Sequence, residues 1–155
     1  MAEVATYDRN GFFFHYPVGW LLEETPFDGD GGSIQLTSPS GAFWILTSHP
    51  FGTSPDTVAL DVLRSMQREY RDLEFEPIFQ THFGRTLSGF EINFFYLDLT
   101  NTASILCFAD ETTTYGIFWQ CGDQMVLIGD EAPVETEKVF EAITYTLLKN
   151  WRVEQ

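Results

Sequence analysis

The side chains in this chain that could carry chemistry are three histidines, two cysteines and several carboxylates near turns. The histidines are His15, His49 and His82, and none has a second His or a Cys within four positions. Zinc and its relatives are held by nitrogen and sulfur ligands at short, repeated spacings, so no metal site is expected. Asp28-Gly29-Asp30-Gly31-Gly32 begins like a calcium loop. It then fails: the sixth place is Ser33 where the sharp turn needs Gly, and the twelfth is Pro39 where a bidentate Glu is needed. A flexible turn is expected there. Asp110-Glu111, Asp123 and Asp130-Glu131 put carboxylates near strand ends, where a pair could do acid–base work. With 23 acidic residues in 155, such proximity is expected by chance. Nucleophile-elbow, phosphate-loop and CxxC patterns do not occur. The chain is therefore expected not to be an enzyme, and no cofactor is implied.

Cys107 and Cys121 fall on the arms of an expected hairpin, Thr102–Ala109 and Thr113–Cys121, around Asp110-Glu111-Thr112. That register puts Cys107 opposite about Tyr115 and Cys121 opposite about Asn101. The sulfurs then lie roughly 20 Å apart at about 3.3 Å per residue, whereas a bridge needs Cα atoms within roughly 7 Å. Two reduced thiols are expected, which suits a cytoplasmic location.

The elements that must position these groups follow from patterning. The chain has 155 residues, is 44% hydrophobic and suits one domain spanning residues 1–155. Its formal charge of −15 and its two lysines, Lys138 and Lys149, argue against nucleic acid as a partner. No apolar run is long enough to span a membrane. The first ten residues carry Glu3 and lack the apolar stretch of a secretory signal. The 25 aromatic residues, 15 of them Phe, suit pleated, half-buried strands.

Strands are expected at Gly11–Tyr16, Trp20–Thr25, Ser33–Thr37 and Ala42–Ser48, the last two joined by Pro39-Ser40-Gly41. Ser54, Pro55 and Asp56 open a helix with Val58, Val62, Leu63, Met66, Tyr70 and Leu73 on one face. Arg64, Arg68 and Arg71 take its wetter side, where pairing with Asp61, Glu69 and Asp72 is expected. Phe75–His82 reads as an edge strand because of Pro77. Phe90–Leu97 alternates and then turns apolar on both faces, which predicts a strand that becomes covered on both sides. The Thr102–Cys121 hairpin follows, then a short apolar segment at Gln124–Ile128. A last helix opens at Pro133 with Val139, Phe140, Ile143 and Leu147 inward. This order predicts an α+β fold: an antiparallel sheet of about six or seven strands with helices packed on its faces.

Gly11-Phe12-Phe13-Phe14-His15-Tyr16-Pro17-Val18-Gly19-Trp20 resembles the opening element of the PsbP-like and DcrB-like family, whose fold is also that of Mog-type proteins. The helix near residues 55–72, the meander led by Gly89-Phe90-Glu91 and the C-terminal helix are similar in order. Among its branches, the small, acidic, cytoplasmic Eag secretion chaperones resemble this chain best. The resemblance implies the same antiparallel sheet with helices on its faces and a role as adaptor or chaperone, with no catalytic residues.

The leading expectation is a non-catalytic interaction domain with a protein partner. Its binding surface is expected on the late sheet, with Phe95, Leu97 and Leu99 on one side of a strand and Trp44 and Trp119 on the same face. The alternative is a small-molecule binder with an aromatic pocket between sheet and helix, lined by Tyr16, Trp20 and Phe14. A homodimer is compatible with both, since an edge strand with few lysines is poorly guarded.

Overall fold

Period-two alternation of buried and wetter side chains runs through most of the chain, and two amphipathic segments close it. The computed structural model describes residues 3–28, 31–122 and 133–151. The expected segment Gln124–Ile128, and with it Asp123, Asp130 and Glu131, lies outside the described residues.

The strands are β1 (Val4–Arg9), β2 (Phe12–Pro17), β3 (Leu21–Asp28), β4 (Gly31–Thr37) and β5 (Phe43–His49), then helix α1 (Pro55–Glu69). After it come β6 (Glu74–His82), β7 (Arg85–Tyr96), β8 (Leu99–Ala109), β9 (Thr114–Gly122) and helix α2 (Pro133–Lys149). Among the described residues, seven strands form one sheet in the order β3-β4-β5-β9-β8-β7-β6. Every neighbouring pair in it is antiparallel. The fold is α+β, as the strand and helix pattern predicts. The sequence reading does not anticipate β1, which pairs with β2 as a separate hairpin.

Each face of the sheet has its own cover. On one face, Ile34, Leu36, Trp44, Leu46, Leu106, Ile117 and Trp119 pack with Phe140, Ile143 and Leu147 of α2. Tyr7, Phe12 and Phe14 of the β1–β2 hairpin join that core. On the other face, Val58, Ala59, Leu63 and Met66 of α1 meet Ile92, Phe94, Ala103, Ile105 and Cys107. Burying a side chain of this size stabilises by about 1.5–3 kcal/mol, so these contacts fix both helices.

Helix α1 forms where its signals stand. Ser54 is the N-cap, its Oγ accepting from the Asp56 backbone N–H at 3.1 Å, and Pro55 takes the first turn. Tyr70 ends the helix, its N–H donating to the Met66 carbonyl at 2.8 Å. The pairing expected for Arg64, Arg68 and Arg71 is not formed with Asp61, Glu69 or Asp72. Arg68 instead donates to Ser65 Oγ at 3.2 Å. All three carboxylates are exposed, and holding two long side chains together at a wet surface gains little.

The β8–β9 register differs from the expected one by a residue. Cys107 pairs with Gly116 and Cys121 with Thr102. The cause is the turn: Asp110 Oδ1 accepts from the N–H groups of Thr112 and Thr113, both at 2.9 Å, and the loop takes in Thr113. Neither cysteine is in a disulfide among the described residues, and both are buried. They sit in different cores, Cys107 under α1 and Cys121 on the α2 side.

Candidate functional site

The β7–β8 hairpin carries its apolar side chains out into solvent. Phe95 is 65% exposed, Tyr96 54%, Leu97 76% and Leu99 44%. Tyr96 pairs with Leu99, so Leu97 and Asp98 alone form the turn. Both have positive φ, 54° and 65°. Two-residue turns of this hand suit the twist of a hairpin, but they favour Asn-Gly, and a bulky side chain there is strained.

The expected placement of Phe95, Leu97 and Leu99 on one side of a strand is corrected here. Phe95 pairs with Thr100, one step from the Tyr96–Leu99 pair, so Phe95 and Leu99 point to opposite faces. Leu97 belongs to the turn. The expectation that this stretch is covered on both faces is also corrected. Helix α1 ends at Glu69, and the hairpin runs on past it. Tyr70 marks the limit of cover, with its ring 4.3 Å from Phe94 and 6.0 Å from Tyr96.

Two features share the α1 side of the sheet with Tyr96 and Leu99. Phe75 and Phe79 of the edge strand β6 stand on the α1 side and are exposed. Phe75 meets Phe90 edge-on at 5.8 Å. The exposed Arg64 and Arg68 belong to the half of α1 that leads into Tyr70, and the exposed Arg71 follows it. They are three of the eight basic side chains on a chain of charge −15.

The tryptophans do not belong to this surface. Trp44 is fully buried and Trp119 nearly so. Trp44 Nε1 donates to Thr144 Oγ1 of α2 at 3.0 Å, and Trp119 stacks on Phe140 at 5.8 Å. The expected pocket lined by Trp20, Tyr16 and Phe14 is filled. Phe140 sits against Trp20 at 5.6 Å, and Phe14 is stacked on Tyr7 at 4.9 Å and meets Trp44 at 5.3 Å. Tyr16 remains half-buried beside Phe14.

A cavity does lie between sheet and helix, but further along. It has a volume of about 620 Å³ and is walled by β6, β7, β8, β9 and α2. Trp119 is the one residue of the expected set that lines it, with Leu106 and Ile117 beside it and Glu91, Ser104, Glu137 and Glu141 around them. None of these four polar residues is among the expected site residues. Their signals were a lone acid inside the apolar run Phe90–Phe94, and two acids four apart on the last helix.

The histidines stay apart. His15 shares a hydrogen bond with Thr6 at 3.0 Å, His49 with Thr47 at 2.9 Å and His82 with Gln80 at 2.8 Å. Burial pulls the His49 pKa below its usual value. Among the described residues, no cluster of three His, Cys, Asp or Glu side chains is placed to hold a metal. No described helix is long and apolar enough to cross a membrane.

No protein-family model and no curated protein matches the chain. Among solved structures, it is similar to a protein of unknown function from Pseudomonas aeruginosa. The TM-score is 0.46 and the identity 9%, over 94% of this chain and 96% of that one.

Proposed function

We propose that this chain is a non-catalytic protein-interaction module that docks its partner on the β7–β8 hairpin tip. One observation carries the reading: Leu97 holds a left-handed backbone that disfavours it while its side chain stands 76% exposed. Strain and exposed apolar area both cost stability in the isolated chain. The apolar cost is recovered if Leu97 and its neighbours Phe95, Tyr96 and Leu99 are buried in a complex, and the strained turn is what holds Leu97 outward for it. The adjacent arginines select the partner's chemistry, an apolar segment flanked by carboxylates. The resemblance of the Gly11–Trp20 element to PsbP-like and DcrB-like proteins supports the same role. Unbridged cysteines in two separate cores suit a reducing compartment.

A photo-crosslinking residue at position 97, introduced in the source cell, tests this. The expected result is one dominant protein adduct, absent when the same residue is placed at Leu21 on the opposite sheet edge. The purified partner should bind the chain at least about tenfold more weakly once Phe95→Thr and Leu97→Asn are introduced. Equal binding by that variant would sink the reading. A second observation, the acid-lined cavity beneath α2, favours small-molecule binding at a separate place.

A further inference from the structure

Glu91 and Ser104 are cross-strand partners on β7 and β8, so their side chains leave the sheet side by side. Both open into the cavity beneath α2. Ser104 is only 6% exposed, and its hydroxyl has no hydrogen-bond partner among the described residues. That hydroxyl faces a space of about 620 Å³, within the range of small-molecule sites, and keeps access to it, so its partner is water or a ligand.

The walls state which chemistry fits. Leu106, Ile117 and Trp119 supply an apolar floor. Glu91 stands on the sheet wall, while Glu137 and Glu141 approach from one face of α2. Neither Lys nor Arg lines the cavity among the described residues. We propose that this cavity binds a small organic cation, a primary ammonium carried on an aromatic or aliphatic body.

The fit follows group by group. An ammonium has three N–H donors and no acceptor. The Glu91 carboxylate and Ser104 Oγ offer adjacent acceptors, and the α2 carboxylates close the negative shell. The body lies on Trp119 and its aliphatic neighbours, where a cation also gains from the ring face. An anion of the same shape meets three carboxylates and is rejected. A neutral analogue covers the floor but brings no charge-assisted hydrogen bond. The site uses no residue of the hairpin tip, so it stands or falls separately from the docking reading.

Three probes that share the phenethyl body test it on the full chain: phenethylamine, phenethyl alcohol and 3-phenylpropionate. Binding is followed by calorimetry and by the Trp119 indole N–H resonance. Phenethylamine should bind saturably at one site, the alcohol at least about tenfold more weakly, and the carboxylate not at all. Glu91→Gln should weaken the amine at least about tenfold while leaving the alcohol and the melting temperature unchanged. Ser104→Ala should weaken the amine in the same sense. The proposal is overturned if the amine fails to saturate, if the alcohol binds as tightly, or if Glu91→Gln binds the amine normally. The comparison of the three probes on the unaltered chain decides the matter even if a variant folds poorly.

Discussion

Trp44 and Thr144, far apart in sequence, are joined by a 3.0 Å hydrogen bond from the indole Nε1 to the threonine Oγ1. Thr144 Oγ1 in turn donates to the Phe140 carbonyl at 2.9 Å. The threonine thus relays α2's own backbone to strand β5 through a fully buried indole. Thr144→Val keeps the shape and strands the Trp44 donor. It should lower unfolding free energy by about 1–3 kcal/mol, which is about 2–4 °C of melting temperature per kcal/mol at this chain length. An unchanged melting curve would mean that water serves the indole equally well.

The hairpin tip should gain stability when its chemistry is normalised. Leu97→Asn with Asp98→Gly places the favoured pair at the two positive-φ positions. Relief of backbone strain of order 1 kcal/mol per residue should raise the urea midpoint. The same variant should lose partner binding. A lower midpoint would show that the Leu97 side chain stabilises the isolated fold.

Alkaline stability follows from groups that hold their protons more tightly when folded. Burial, with a smaller contribution from Asp56, pushes the Cys107 thiol from 9.0 to about 12. Burial and the bond to Glu24 push Tyr7 from 10.0 to about 12. Between the unfolded and folded values the native chain binds more protons, so raising the pH favours unfolding. Stability should be level up to about pH 9 and fall steadily towards about pH 12 in urea titrations. Cys107→Ala should flatten part of that slope, while its constant offset near neutral pH reports the lost packing.

Gly89 admits no side chain. A Cβ there would land on the Ile105 carbonyl oxygen of the neighbouring strand. That obstacle is backbone, so a rotamer change cannot relieve it. Gly89→Ala should abolish cooperative thermal unfolding, whereas Gly84→Asn, with open space and φ of 78°, should retain it. Normal melting of Gly89→Ala would mean that β7 and β8 separate more easily than their long register suggests.

Much of the architecture was legible because local chemistry and tertiary packing agree in it. Ser54-Pro55 opens α1, and Pro39-Ser40-Gly41 sits between β4 and β5. Strand β1 escaped notice although Asn10-Gly11 is a hairpin signal in its own right, with φ of 60° and 85°. Strand β7 begins five residues before Phe90, at Arg85. Gly84 and Gly89 lie between the expected strands Phe75–His82 and Phe90–Leu97, yet the first makes a two-residue turn with Phe83 and the second makes room for the Ile105 carbonyl. The site was less legible for a different reason. Phe95 and Trp119 are both aromatics within strand patterns. What separates them is where α1 and α2 stop, and that depends on packing distant in sequence. Glu91 and Ser104 become neighbours only once the β7–β8 register is known.

The aromatic latch at Trp151 has a bearing on synthesis. Its ring lies 5.2 Å from Phe12, 5.1 Å from Phe108 and 4.8 Å from Tyr115. The β1–β2 hairpin is made well before its principal cover, α2, with strands β3 to β9 and α1 between them. Tyr7, Phe12 and Phe14 therefore stay wet while β3 to β9 are translated, and a nascent polypeptide halted before α2 would present them to any chaperone within reach.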